Sequence, residues 1–173
     1  MDAFKGRFER ASADQYEQFL KALEVNILLR EAATVSTPVC KISKEGGVWT
    51  IKSSTTLKTT QLKFKLNEEF DETTPDGRDM KVLATLEEGR IVMVQKVKNE
   101  MHKSTKSIRK MNGSDEFVYI TTVNGVDGLV CVQKFKRVEG LEGPEGSEGH
   151  RFSSNRPQSM QPFLAPSPIV PSQ

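Results

Sequence analysis

The sequence predicts an all-β fold: an antiparallel up-and-down barrel of about nine or ten strands, capped by a helix-turn-helix and followed by a disordered tail. Three observations predict it. From Lys41 to Lys136 apolar side chains return at every second residue, the period of strands that bury one face. Turn signals at Gly46-Gly47, Gly89, Asn112-Gly113 and Asn124-Gly125 punctuate these runs at hairpin spacing. Helical periodicity is confined to one stretch, from Tyr16 to about Ala33. Many short strands joined by tight turns must hide their edges, and closing the sheet on itself does so.

The elements follow in order. Ala3–Ala11, with Phe4 and Phe8 set between charges, suits a first strand, and Ser12 and Asp14 stand where a helix cap is needed. Tyr16, Phe19, Leu20 and Leu23 fall at i, i+3, i+4 and i+7, the stripe of an amphipathic helix. A second helical stretch, Asn26–Ala33, ends near Thr37-Pro38, where the residue before proline is pushed out of helical geometry. Lys41–Lys44 and Val48–Ser53 flank the Gly46-Gly47 turn, with Trp49 and Ile51 on one face. Leu62, Phe64 and Leu66 alternate with Gln61, Lys63 and Lys65, the cleanest half-buried strand in the chain. Glu69–Thr73 is the segment on which the count of nine or ten turns. Met80, Val82, Ala84 and Leu86 alternate next, and Glu87-Glu88-Gly89 leads into Ile91, Met93 and Gln95. Thr105, Ser107, Arg109 and Met111 share a face opposite Lys106 and Lys110. Phe117–Val123 is a further strand, and Leu129, Cys131, Gln133 and Phe135 share one face of the last.

Composition sets a domain of residues 1–138 apart from a tail of 139–173. Glu139–Gly149 repeats Glu-Gly with little to bury, and Ser153–Gln173 holds five prolines among serines and glutamines. Such a segment cannot offset its ordering entropy and is expected to be disordered. Pro168-x-x-Pro171 has the spacing of a ligand for an aromatic-grooved adaptor, although an inert extension is the simpler reading. Four glutamates and two arginines fall in the tail, leaving 23 basic and 19 acidic side chains in residues 1–138, net +4. No basic block dominates any segment, so nucleic acid is not an expected partner. Cys40 and Cys131 lack CxxC spacing, and His102 and His150 form no ligand cluster, so no metal or cofactor is expected. Neither a nucleophile elbow nor a glycine-rich phosphate loop is present, which argues against an enzyme. The start lacks the apolar run of a signal peptide, and no apolar run spans a bilayer.

The chemical anomaly lies on the strand faces. If the face of Lys106 and Lys110 is solvent, Arg109 points inward with Thr105 and Ser107. Gln95 and Gln133 share faces with apolar residues in the same way. A filled apolar core would not keep these groups unpaired, whereas a wet cavity with a positive centre would, and it could receive a carboxylate. Periodicity alone leaves the alternative open that Arg109 is a surface arginine, because a one-residue slip exchanges the faces.

Gly6-x-Phe8 followed by Tyr16-Glu17-x-Phe19-Leu20-Lys21-Ala22-Leu23 resembles the N-terminal signature of the intracellular lipid-binding proteins, the cytoplasmic fatty-acid-binding and cellular retinoid-binding proteins. The resemblance continues through Ser54–Phe64, Glu69–Thr74, Val94-Gln95-Lys96 and Val130–Phe135, and so covers nearly all of residues 1–138. It departs at Arg10, usually apolar, and at Gln15, usually a small cap.

The resemblance implies a ten-stranded lipocalin-like (calycin) barrel with an inward Arg109 that meets the ligand head group. Gln133 and Phe135 stand where many fatty-acid carriers have Arg and Tyr, which is closer to the retinol-binding branch, while Cys40 replaces a lysine that branch uses. The implied ligand-binding residues are Arg109, Gln133, Phe135, Gln95, Cys40, Trp49, Ile51, Leu62, Phe64, Met93, Met111 and Cys131. The implied portal lies between the second helix (Ile27, Leu28, Ala32) and two turns at Leu57 and at Pro75-Asp76, with Lys21, Arg30 and Lys58 placed to meet an anionic membrane transiently. The expected function is that of a non-enzymatic, monomeric carrier of long-chain fatty acids, with retinoids as the alternative ligand. Its expected location is the cytoplasm, with access to the nucleus.

Overall fold

The computed structural model describes residues 2–139. The expectations for the Glu-Gly and proline-rich tail lie outside the described residues.

A 3-10 turn at Asp2–Phe4 precedes β1 (Gly6–Asp14), α1 (Tyr16–Ala22) and α2 (Ile27–Val35). Nine further strands follow: β2 (Val39–Glu45), β3 (Val48–Ser54), β4 (Thr59–Phe64), β5 (Glu69–Thr73), β6 (Asp79–Glu87), β7 (Arg90–Val97), β8 (Thr105–Asn112), β9 (Glu116–Val123) and β10 (Val130–Arg137). Glu69–Thr73 is therefore a strand and the count is ten. All pairs are antiparallel in the order β4-β3-β2-β1-β10-β9-β8-β7-β6-β5. β1 joins the last strand, so the sheet closes except between β4 and β5, where Phe64 and Phe70 stack at 5.9 Å.

The period-two pattern becomes an inside and an outside. On β8, Thr105, Ser107 and Arg109 are buried while Lys106 and Lys110 are exposed. This places Arg109 inside the barrel at 8% exposure and answers the question of face that periodicity left open. Aromatic packing fills the end of the barrel away from the helices. Phe117 meets Phe8 edge-on at 4.9 Å and Phe135 face-on at 4.7 Å, and Trp49 stacks on Phe64. Full burial of each such ring contributes on the order of 2–3 kcal/mol.

The helices cover the other end, where Leu20, Leu23 and Val25 pack against Val123 at the end of β9. Two local expectations are corrected. The first strand runs over Gly6–Asp14 rather than Ala3–Ala11. Ser12 and Asp14 are consequently strand residues paired with Lys134 and Val132, not helix caps. The residue at the head of α1 is Gln15, in left-handed geometry at φ 54° and without a side-chain cap. A register shift between Arg10 and Ser12 extends β1, because pairing with β10 satisfies more backbone groups than an early helix start would. Asn26 does cap α2, its side chain accepting from the Leu28 N–H at 2.9 Å.

Candidate functional site

Register across β7–β10 stacks the inward side chains in rungs. One rung runs Ile91, Arg109, Tyr119, Gln133. The next towards the helices runs Met93, Ser107, Thr121, Cys131, and the one above it Gln95, Thr105, Val123. Below Arg109 lies the aromatic floor, with Met111, Phe117 and Phe135 on one rung.

Arg109 is the centre of this surface. Its guanidinium lies 4.1 Å from the centre of the Tyr119 ring, and Nη1 donates to Met93 Sδ at 3.6 Å. Both partners are neutral, so among the described residues the buried cation meets no carboxylate. Gln133 takes a different role from a free ligand contact: its Oε1 accepts from Arg10 Nη1 at 3.2 Å. Arg10 Nη2 donates to the carbonyls of Ala33 (3.2 Å) and Ser36 (2.5 Å), and the guanidinium sits 4.8 Å over the Tyr16 ring. Arg10 thus pins the C-terminal end of α2 to the barrel, where a cation also meets the negative end of the helix dipole. Gln95 lies two rungs above Arg109 and donates to Glu72 Oε2 at 2.8 Å while accepting from the Thr105 hydroxyl at 2.8 Å.

The opposite wall is apolar. Cys40 on β2, Trp49 and Ile51 on β3, and Leu62 and Phe64 on β4 face inward by register, with Leu62 only half-buried. Burial pushes the thiols of Cys40 and Cys131 up from their ordinary range, against the lowering effect of Arg109 on the first and of Thr121 on the second. The structure brings Arg109, Met93 and Gln133 together with Cys131 on adjacent rungs. Met111, Phe135, Trp49 and Phe64 belong to the packed floor.

At the mouth, Ile27, Leu28 and Leu57 are exposed, Pro75 is exposed, and Ala32 and Asp76 are half-buried. Lys58 Nζ donates to the Pro75 carbonyl at 3.1 Å, tying the β3–β4 turn to the β5–β6 turn. Asp76 and Arg78 form an ion pair at 2.6 Å, and Arg78 also donates to the Lys103 carbonyl. Burial raises the Asp76 carboxyl, but the bonds from Arg78 and Thr74 and the Arg78 charge outweigh it and hold the group below the usual carboxylate range. A cleft of about 310 Å³ runs between the α1–α2 link and the β5–β6 and β7–β8 turns, lined by Leu23, Asn26, Leu29, Asp76, Arg78 and Met101 among others.

Sequence reasoning missed Arg10, Glu72 and Tyr119. The signal was available for two of them: Tyr119 is two residues from Phe117, and Glu72 two from Phe70, so period-two alternation puts both inside. Arg10 is two residues from Phe8, but its partners Ala33 and Ser36 lie on a helix whose docking no local pattern reveals.

Residues 7–138 match the model of the lipocalin / cytosolic fatty-acid binding protein family. The human cellular retinoic acid-binding protein 2 is 35% identical over 140 residues, covering 79% of this chain and 99% of that protein. Fatty acid-binding protein homolog 5 of Caenorhabditis elegans is 41% identical over 104 residues, covering 60% of this chain and 76% of that protein. The crystal structure of apo lipid binding protein 8 of Caenorhabditis elegans superposes with a TM-score of 0.75 at 28% identity, covering 80% of this chain and 97% of that one.

Proposed function

From the chain's membership of the lipocalin / cytosolic fatty-acid binding protein family we propose that it is a non-enzymatic carrier that holds a long-chain fatty acid inside the barrel, carboxylate towards Arg109. The observation that carries the reading is the Arg109 guanidinium, 8% exposed and, among the described residues, touching the neutral Tyr119 ring and Met93 sulfur with no carboxylate beside it. A buried unpaired charge is unfavourable by several kcal/mol, and a carboxylate that pairs with it recovers that deficit. Affinity comes mainly from the chain. At about 0.8 kcal/mol per methylene, sixteen carbons supply on the order of 10 kcal/mol before the ordering costs of binding. The head group orients the ligand and selects against uncharged lipids.

Retinoic acid is the second reading. It presents the same carboxylate, and a relative matched over nearly its full length is a retinoic acid-binding protein. The ligand enters between α2 and the turns at Leu57 and Asp76, where exposed Ile27, Leu28 and Leu57 beside Lys21 and Lys58 meet an anionic membrane transiently. With eight of the ten strands paired on both sides the sheet has little edge to share, in keeping with a monomer. Its proposed place is the cytoplasm, as for the cytosolic family, with access to the nucleus. The reading assigns it no nucleic-acid partner, cofactor or catalytic role.

The test is displacement of a bound fluorescent fatty acid by oleate, all-trans retinoic acid and retinol. Submicromolar displacement by oleate supports the reading, and preference for retinoic acid selects the second. Preference for retinol, or displacement by none of the three, overturns both.

A further inference from the structure

The rung above Arg109 carries two hydroxyls that fold and carrier function leave unexplained. Ser107 is 1% exposed and Thr121 4% exposed, they oppose each other across β8 and β9, and among the described residues Ser107 Oγ has no hydrogen-bond partner while Thr121 Oγ1 reaches only the Cys131 thiol. Thr121 faces the Cys131 thiol across β9 and β10, at best a weak partner, and Ser107 faces Met93. Both point into the barrel, on the face of Arg109 and Thr105. Hydroxyls buried without a partner are unfavourable, and in a lumen meant for a plain acyl chain alanine and valine would serve better.

Polar groups are densest on one side. Arg109, Ser107 and Thr105 follow one another up β8, and Thr105 passes to Gln95 and Glu72. Across the barrel, β2–β4 present Ile42, Ile51 and Leu62 on one rung and Cys40, Ser53 and Thr60 on the next. A ligand inside the barrel meets more hydrogen-bonding groups along β8 than along β2–β4.

We propose that the barrel is matched to a long-chain acid bearing a hydroxyl group, the carboxylate on Arg109 and the hydroxyl between Ser107 and Thr121. This rests on the carrier reading above and names the ligand class within it. One hydroxyl can donate to one of these oxygens and accept from the other, so it satisfies both. Arg109 and Ser107 are two residues apart, so their Cα atoms are separated by about 7 Å along the strand at about 3.4 Å per residue. The match therefore depends on where the hydroxyl sits on the chain. An unsubstituted acid binds through Arg109 but leaves Ser107 unpaired and Thr121 with only the weak thiol.

The experiment uses the full chain and displaces a fluorescent fatty acid with stearate and with a series of monohydroxystearates, the hydroxyl moved along the chain. At least one isomer is expected to bind about tenfold more tightly than stearate, the factor for one net hydrogen bond. The advantage must peak at one position and disappear in Ser107→Ala/Thr121→Val, which keeps stearate affinity equal to wild type or slightly higher. Retained stearate binding also shows that the variant is folded. A flat series, or an advantage that survives the double substitution, overturns the proposal while leaving the carrier reading intact. If stearate and oleate fail to bind at all, both fall.

Discussion

Replacing Arg109 by methionine separates a head-group contact from a structural arginine. The guanidinium is 8% exposed and touches the Tyr119 ring at 4.1 Å and Met93 Sδ at 3.6 Å. Neither contact balances the loss of hydration of a full charge, so an unbranched apolar side chain of comparable length stabilises the fold. By analogy with buried ionic groups replaced by hydrophobic ones, the gain is about 1–4 kcal/mol, and the melting temperature rises by about 3 °C or more. Binding moves the other way. A carboxylate on Arg109 makes charge-assisted bonding worth about 1.5–3 kcal/mol, so its loss weakens binding by about 10- to 150-fold in Kd. Oleyl alcohol, with the same chain and no charge, should bind Arg109→Met as well as wild type or better. Calorimetric unfolding of the ligand-free protein and parallel displacement assays with oleate and oleyl alcohol check all three outcomes. If the variant melts lower and both ligands weaken equally, Arg109 holds the barrel together and does not read the head group.

Three further outcomes follow from the same structure. Phe117→Ala removes the ring between Phe8 and Phe135 at 1% exposure and should lower stability by about 3–5 kcal/mol, read by chemical denaturation. Arg10→Ala breaks the bonds to Gln133, Ala33 and Ser36, so amide exchange of α2 and the ligand off-rate should both rise, while residues of β6–β8 keep their protection. The Asp76 carboxyl titrates lower folded than unfolded, so its contribution is present above the unfolded value near 3.9 and is lost as pH falls through the folded one. The protection factors of the Thr74–Arg78 amides, taken relative to the intrinsic exchange rate at each pH, should therefore stay flat from about pH 8 to 5 and fall below about pH 4, and Asp76→Asn should abolish that acid step.

The alternation of Leu62 and Phe64, of Met80, Val82 and Ala84, and of Cys131, Gln133 and Phe135 was enough to predict strands and their buried faces, because a strand's side chains point to opposite sides whatever it pairs with. The stripe from Tyr16 to Leu23 predicted α1 for the same local reason. What Ser12 and Asp14 do was not legible, since their pairing with Lys134 and Val132 joins residues more than a hundred positions apart. The inward face of Arg109 hangs on the register of β7, β8 and β9, which periodicity determines only up to a one-residue slip. The same holds for the site as a whole. The residue types were visible, but that Gln133 is held by Arg10 and Gln95 by Glu72 depends on strands meeting around a closed sheet. By itself the sequence determined the elements and the presence of a cation among apolar strands. Tertiary structure alone decided which polar side chains share a rung, because rungs are made by pairing between strands and local sequence carries no record of it.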